Sequence, residues 1–330
     1  MENNKKIMVL GTGGTIAGTA GQAASGTVAH VTYQAAQLGV EQLLAAVPEL
    51  ARAAGTACIV AEQVVQVDSK DMTHAIWAQL AMRCAALLAE EDVVGIVITH
   101  GTDTLEETAW FLANVLHADK PVVLTCAMRP ATALVPDGPQ NLLDAVMLAA
   151  QGTAYGVVAV VAGVIHSARA VTKIHPLRLD AFSSGDDGPV GWIEAGCIRW
   201  VHGCPPVISP PSYAALLPLL QTGPWPRVEI IVSHAGSDGA LVDWLVQGGA
   251  EGIVVAATGN GTLHTTLAQA LVRAAQAGVQ VYIAARCPLG CITLSTESVC
   301  ETPAQWHYAV GLSAVKARIS LLLALLEKSL

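Results

Sequence analysis

Residues 93–130 read VVGIVITHGTDTLEETAWFLANVLHADKPVVLTCAMRP, and this run decides the fold. Val93–Thr99 is a continuous Val/Ile-rich segment, the pattern of a strand buried on both faces. Leu105–Leu116 has the length and spacing of an amphipathic helix, and Pro121–Ala127 is a second Val-rich segment. Strand, helix and strand in close succession predict a βαβ unit, hence parallel pairing. Working outward, the same alternation recurs. Further strand candidates are Lys6–Gly11, Gly156–Gly163, Val228–Ser233, Gly252–Ala257 and Val279–Ala284. Helix candidates are Asp71–Ala89, Gln140–Gln151, Leu263–Ala277 and Ser313–Glu327.

The alternation breaks between Gly203 and Pro226, where Pro205, Pro206, Pro210, Pro211, Pro218, Pro224 and Pro226 fall. Proline withholds a backbone donor and resists element interiors, so residues 204–226 read as a linker. The expected architecture is α/β, with a larger N-terminal domain over residues 1–203 and a smaller C-terminal α/β domain over 227–330. The first carries a mostly parallel sheet and the second a parallel one. A length of 330 residues agrees with two cores.

Composition narrows the function. Hydrophobic residues make up 53% and charged residues 13%, with mean hydropathy +0.50. This is a globular, Ala-rich composition whose sparse charge points to surface covered by other subunits. The longest uncharged apolar run, Ala154–Ile165, is shorter than the ~20 residues a membrane span needs, and reads as a buried strand. A net charge of −9 without a basic block argues against nucleic acid. Only Ile7–Leu10 follows the basic Lys5 and Lys6, too short for a signal-peptide core. The expected location is cytoplasmic, or periplasmic if a signal has been removed. The eight cysteines form no CxxC and no zinc spacing, and read as reduced, structural thiols. No metal is implied.

In an open α/β sheet, ligands bind beyond the carboxyl ends of the strands. Four such ends carry polar or glycine-rich sequence: Gly11-Thr12-Gly13-Gly14-Thr15-Ile16-Ala17-Gly18, His100-Gly101-Thr102-Asp103-Thr104, Met128-Arg129-Pro130 and Thr258-Gly259-Asn260-Gly261. The first fails as a dinucleotide fingerprint, because Ile16 stands where the third glycine belongs and no acidic residue follows at the required distance. No cofactor is expected. What remains is either an ordinary glycine-rich turn or a loop that offers Thr12, Thr15 and backbone N–H groups to an oxyanion.

Gly11–Gly18 and the longer Thr99–Ala109 resemble the two signatures of the bacterial L-asparaginase/glutaminase family. Further similar stretches are Gly39-Val40-Glu41, Glu62–Val65, Asp119–Val122, Ala127–Pro130, Asp137-Gly138-Pro139, Val171-Thr172-Lys173 and Gly259-Asn260-Gly261. The resemblance implies hydrolysis of L-asparagine to L-aspartate and ammonia, with L-glutamine as a second candidate substrate, in a homotetramer of two intimate dimers. It implies Thr15 as nucleophile on a mobile loop and Tyr33 closing over it. Thr102, Asp103 and Lys173 correspond to a second, rigid triad. Ser69 and Asp103 correspond to residues that grip the substrate's α-carboxylate and α-amino group. Gly14, Ala127 and Lys70 fall among the substrate-binding positions. Glu297 corresponds to a carboxylate supplied by a neighbouring subunit, with Asn260 supporting it.

Each residue also has a plainer reading. Ser69 and Asp103 could cap helices, Lys173 could be a surface charge and Glu297 a solvated loop residue. Two other functions compete: a non-catalytic amino-acid-binding module, and a tRNA-amidotransferase-type subunit of the same superfamily. Three departures from the family pattern stand out. Lys70 replaces the usual Gln or Glu, placing an ammonium where the substrate's own ammonium would lie. The stretch from Thr15 to Tyr33 is a few residues longer than usual. Cys84 fits half of a disulfide found in periplasmic members, but Ala118 stands near its partner's position, which favours a reducing compartment.

Overall fold

The computed structural model describes residues 5–20, 33–152, 156–201, 213–293 and 306–329. The chain folds as two compact units, Met1–Gln221 and Thr222–Leu330. In the first, the strands are β1 (Lys6–Gly13), β2 (Thr19–Ala20), β3 (Tyr33–Gln34), β4 (Cys58–Val67), β5 (Val93–Thr99) and β6 (Val122–Thr125). They continue with β7 (Val157–Val161), β8 (Val164–Ser167), β9 (Thr172–Lys173), β10 (Phe182–Ser183), β11 (Gly191–Glu194) and β12 (Cys197–Trp200). The helices are α1 (Val40–Ala45), α2 (Leu50–Ala53), α3 (His74–Leu88), α4 (Leu105–Val115) and α5 (Gly138–Ala150).

Eight strands form one sheet in the order β12-β11-β8-β7-β6-β5-β1-β4. Pairing is parallel from β4 through β7 and antiparallel from β7 through β12. The central strands explain their own position: Ile7–Leu10, Ile96–Ile98 and Val122–Leu124 are almost wholly buried, as strands covered on both faces must be. One face packs Ile7, Val9, Val97, Val123 and Val158 against Leu142, Ala145, Val146 and Ala149 of α5.

The structure corrects several expectations. The run Ala154–Ile165 holds not one buried strand but part of a hairpin. Ala162 (φ 51°) and Gly163 (φ 73°) both take left-handed backbone, the requirement of a two-residue turn whose twist matches antiparallel strands. Residues 153–155 lie outside the description. Ala195 (φ 49°) and Gly196 (φ 76°) turn the chain in the same way between β11 and β12. Strand β4 was not anticipated. It is an edge strand, and its alternating half-buried and exposed residues lack the apolar continuity that marks the centre of the sheet. The Pro-rich stretch is partly built into the first unit: Ala214–Leu219 is a 3-10 helix containing Pro218, with Leu216 buried.

The second unit contains β13 (Val228–Val232), β14 (Gly252–Ala257), β15 (Gln280–Ala285) and β16 (Trp306–Tyr308), all parallel and in sequential order. Its helices are α6 (Ala240–Gln247), α7 (Thr265–Gln276) and α8 (Ala314–Lys328). Ile231, Ile253, Val255, Val281 and Ile283 pack against Leu267, Ala270, Leu271 and Ala274 of α7. No helix among the described residues is long and apolar enough to cross a membrane.

Candidate active site

The order β4-β1-β5-β6-β7 places a reversal at β1. The chain leaves β1 to one side for β4, then crosses back to β5 on the other. Crossovers that diverge on either side of such a point leave a crevice at the carboxyl ends of the strands. Register brings the relevant loops out together, because Gly11 pairs with both Gln63 and Thr99, and Thr99 with Thr125. The loops after β1, β4, β5 and β6 therefore share one rim.

At this rim the backbones touch. Gly14 has φ 79°, and a Cβ there would stand 2.3 Å from the Cα of Gly101. A Cβ on Gly101 would in turn stand 2.4 Å from Ser69 Oγ. Only glycine allows this approach. Since Gly14 precedes Thr15 and Gly101 precedes Thr102, both threonines leave from one point of backbone contact. The first loop is tied down by Gly14 N–H to the Val67 carbonyl (2.9 Å) and by Ala36 N–H to the Gly14 carbonyl (3.0 Å). Thr15 is buried and opens a short 3-10 turn, Thr15–Ala17. Thr12 turns inward, its hydroxyl donating to the Thr99 carbonyl at 2.8 Å. It fastens β1 to β5.

Three side chains converge beyond β5. Lys173 Nζ lies 2.8 Å from Thr102 Oγ1 and 2.6 Å from Asp103 Oδ1. Thr102 Oγ1 stands 3.4 Å from the same carboxylate oxygen, a long and weak hydrogen bond. Lys173 reaches this point from the β9–β10 ribbon, where it pairs with Phe182, and its side chain is only 17% exposed. Ser69 is buried, and its Oγ accepts the Asp103 N–H at 3.1 Å. Thr104 Oγ1 donates to the Ser69 carbonyl at 2.7 Å. Helix α3 is capped by Thr73, whose hydroxyl accepts the Ile76 N–H, so Ser69 is not the cap of that helix. Neither is Asp103 the cap of α4, a place taken by Thr104.

Lys70 points elsewhere. Its ammonium binds Asp71 and lies 3.6 Å from Asp68, and the side chain is 61% exposed. The hydrogen bond to Asp71 is the main cause of its raised pKa. Ala127 is fully buried just after β6; beside it, Asp137 accepts the N–H groups of Met128 and Arg129, both at 2.9 Å. Tyr33 is described by its backbone, which pairs with Ala20, and not by its side chain. In the second unit, Asn260 binds Thr293 through both ends of its amide, at 2.8 and 2.7 Å. Glu297 lies outside the described residues. Among the described residues no cluster of three or more His, Cys, Asp or Glu side chains could hold a metal ion.

Sequence reasoning passed over His100, Thr108, Trp77 and Asp137, which support the rim from behind. His100 stood in the quoted motif, but burial is what distinguishes it. It is fully buried, which pushes its pKa down to about 4.

Hydroxyls beside a lysine and a carboxylate, at the reversal point of an α/β sheet, form the class of site that can move a proton off a weak nucleophile. Comparison with known proteins gives that class a family. Residues 6–204 match the family described as Asparaginase, N-terminal, and residues 227–329 the Glutaminase/Asparaginase C-terminal domain. A glutaminase-asparaginase of Pseudomonas fluorescens biotype A is 37% identical over 97% of this chain and 86% of that protein. L-asparaginase 2 of Escherichia coli (strain K12) is 36% identical over 97% of this chain and 89% of that protein. The crystal structure of a probable cytoplasmic L-asparaginase from Campylobacter jejuni superposes with a TM-score of 0.86 at 37% identity. The match covers 97% of this chain and 95% of that one. The chain belongs to the asparaginase family.

Proposed function

We propose that this protein hydrolyses the side-chain amide of L-asparagine to L-aspartate and ammonia, with L-glutamine as a second substrate. The observation that carries the reading is the contact of Lys173 Nζ with both Thr102 Oγ1 and Asp103 Oδ1 at the β1/β5 reversal. In this reading Thr15 Oγ1 bonds to the carboxamide carbon, the C–N bond breaks, and the hydroxyl proton leaves on ammonia. Water then cleaves the ester and restores the threonine. Lys173 and Asp103 serve Thr102 as a proton relay, since a hydroxyl needs a nearby acceptor to become a nucleophile or to activate water.

Recognition follows from the hydrogen bonds left over. Ser69 Oγ accepts from Asp103 N–H, so its own proton is available to the α-carboxylate. Asp103 Oδ1 faces Lys173, leaving Oδ2 for the α-ammonium. Gly14 and Ala127 line this pocket through their backbone, Tyr33 closes over Thr15, and a neighbouring subunit's Glu297, with Asn260 supporting it, completes it in a homotetramer. Cys84 is fully buried with its thiol pushed up to about 12, and Ala118 cannot bridge to it. A reducing, cytoplasmic setting suits such a thiol, as the probable cytoplasmic relative from Campylobacter jejuni also suggests.

Ammonia release from L-asparagine and L-glutamine by the purified protein tests the reading. Thr15→Ala should abolish turnover while keeping the fold and aspartate binding. Binding of aspartate by the parent protein with no ammonia release from either amide would sink the proposal. Co-refolding Thr15→Ala with Glu297→Ala chains should restore activity if Glu297 acts across an interface; inactive hetero-oligomers would remove it from the site.

A further inference from the structure

His100 stands fully buried between β5 and Thr102, and its hydrogen bonds admit one arrangement of protons. The Gly101 carbonyl, 2.8 Å from Nδ1, can only accept, so Nδ1 carries the proton. Nε2 of the neutral ring is then an acceptor, and the Thr108 hydroxyl 3.0 Å away donates to it. With that proton committed, Thr108 Oγ1 accepts from Trp77 Nε1–H at 2.9 Å, a group that only donates. Donation thus runs in one direction, from Trp77 through Thr108 and His100 to the Gly101 carbonyl. Burial keeps the ring in the neutral form this chain requires, lowering its pKa to about 4.

The consequence falls on the next N–H. A trans peptide directs its carbonyl and the following N–H to opposite sides, and no cis peptide is present among the described residues. Drawing the Gly101 carbonyl toward the buried ring therefore turns the Thr102 N–H away from it. Among the described residues no protein acceptor takes that N–H. The peptide has little room to rotate, since Gly14 packs on Gly101 from one loop and Ser69 from another. The Asp103 N–H is held by Ser69 Oγ.

We infer that His100 is a positioning residue for acyl transfer: through the Gly101 carbonyl it aims the Thr102 N–H at the substrate oxygen that becomes negative when the carboxamide is attacked. The inference rests on the amidohydrolase reading and adds to it a residue that never touches substrate. A fixed donor of this kind acts mainly in the transition state, so its loss belongs in kcat and not in ground-state affinity.

Three variants test it, each followed by kcat, KM, aspartate Kd and Tm. His100→Asn keeps an N–H near the place of Nδ1, His100→Gln moves the amide out toward Nε2, and His100→Leu keeps bulk without either. His100→Leu should lower kcat about 10- to 100-fold. Its aspartate Kd should stay within about threefold of the parent value. His100→Asn should recover kcat to within about fivefold of the parent, with His100→Gln remaining near His100→Leu. If His100→Leu does not fold, the ranking of Asn above Gln carries the test. Equal kcat for Asn and Gln, or losses that simply track Tm across the variants, would overturn the inference. A parent protein that releases no ammonia from either amide overturns the amidohydrolase reading, and this inference with it; a fully active His100→Leu overturns this inference alone.

Discussion

The two units end parallel strands in similar sequence and reach different results. In the first, β1 and β5 run into Gly-Thr loops whose hydroxyls meet a lysine and a carboxylate. In the second, β14 runs into Thr258-Gly259-Asn260-Gly261-Thr262, which closes on itself. Thr258 and Thr262 exchange backbone hydrogen bonds at 3.1 and 2.9 Å. Their hydroxyls are occupied too, with Thr258 Oγ1 donating to the Thr262 carbonyl at 2.7 Å. Sheet order accounts for the contrast. Strands β13 to β16 follow one another without reversal, so no crossovers diverge to open a crevice, whereas β4-β1-β5 reverses around β1. Threonine next to glycine is therefore a turn-former by default. It becomes a candidate for chemistry where topology opens a crevice and a remote lysine arrives.

The sharpest way to break this comparison is to remove one hydroxyl from each loop. Thr102→Ala should cut kcat by about 10³-fold or more, because residues acting as a unit fail together. Thr258→Val should change kcat by less than about threefold and lower stability by about 1 kcal/mol, the worth of an ordinary hydrogen bond. Steady-state kinetics and denaturant melts on both variants check it. Comparable losses of turnover would show that Thr258 does more than close its turn.

A smaller effect concerns buried groups of the first unit and their opposite pH signs. His100, lowered to about 4, binds a proton more readily unfolded than folded, so its contribution falls as pH drops from about 6.5 to 4. Asp144 is raised to about 6 by burial, with the Gln140 amide at 2.8 Å opposing the shift. It binds a proton more readily folded, so its contribution rises as pH drops from about 6 toward its unfolded value. The two largely offset each other in that window. Asp144→Asn should raise stability at pH 7 by about 2 kcal/mol and expose the acid loss due to His100, worth about 3 kcal/mol by pH 4. Urea melts between pH 4 and 7 check this; an unchanged slope in the variant would remove Asp144 from the balance.

The smallest effect belongs to Lys70. Its ammonium already faces Asp71 and Asp68 at the surface, so Lys70→Gln should change KM for L-asparagine by less than about twofold even at low salt. A several-fold fall in KM would mean that the side chain swings toward bound substrate.

Local pattern was enough to read Val93–Thr99 and Gly252–Ala257 to the residue, because a buried parallel strand must be apolar on both faces and such runs are visible in one dimension. Thr15, Thr102, Asp103 and Lys173 came forward as candidates only through resemblance to the family's motifs, since local pattern alone left Lys173 a surface charge. Local pattern could not separate β7 from β8 within one apolar run, since the turn at Ala162-Gly163 is set by backbone angle and not by polarity. Nor did it reveal β4, an edge strand whose exposed alternate residues look like loop. Tertiary structure alone decided that Lys173 reaches Thr102 across 71 positions of sequence, and that Lys70, adjacent to Ser69, turns to solvent. It also made His100 a buried neutral donor. Sequence determines which groups a chain can offer and where its backbone runs straight; which of them lose water, and whom they then bond, is settled only when distant segments pack together.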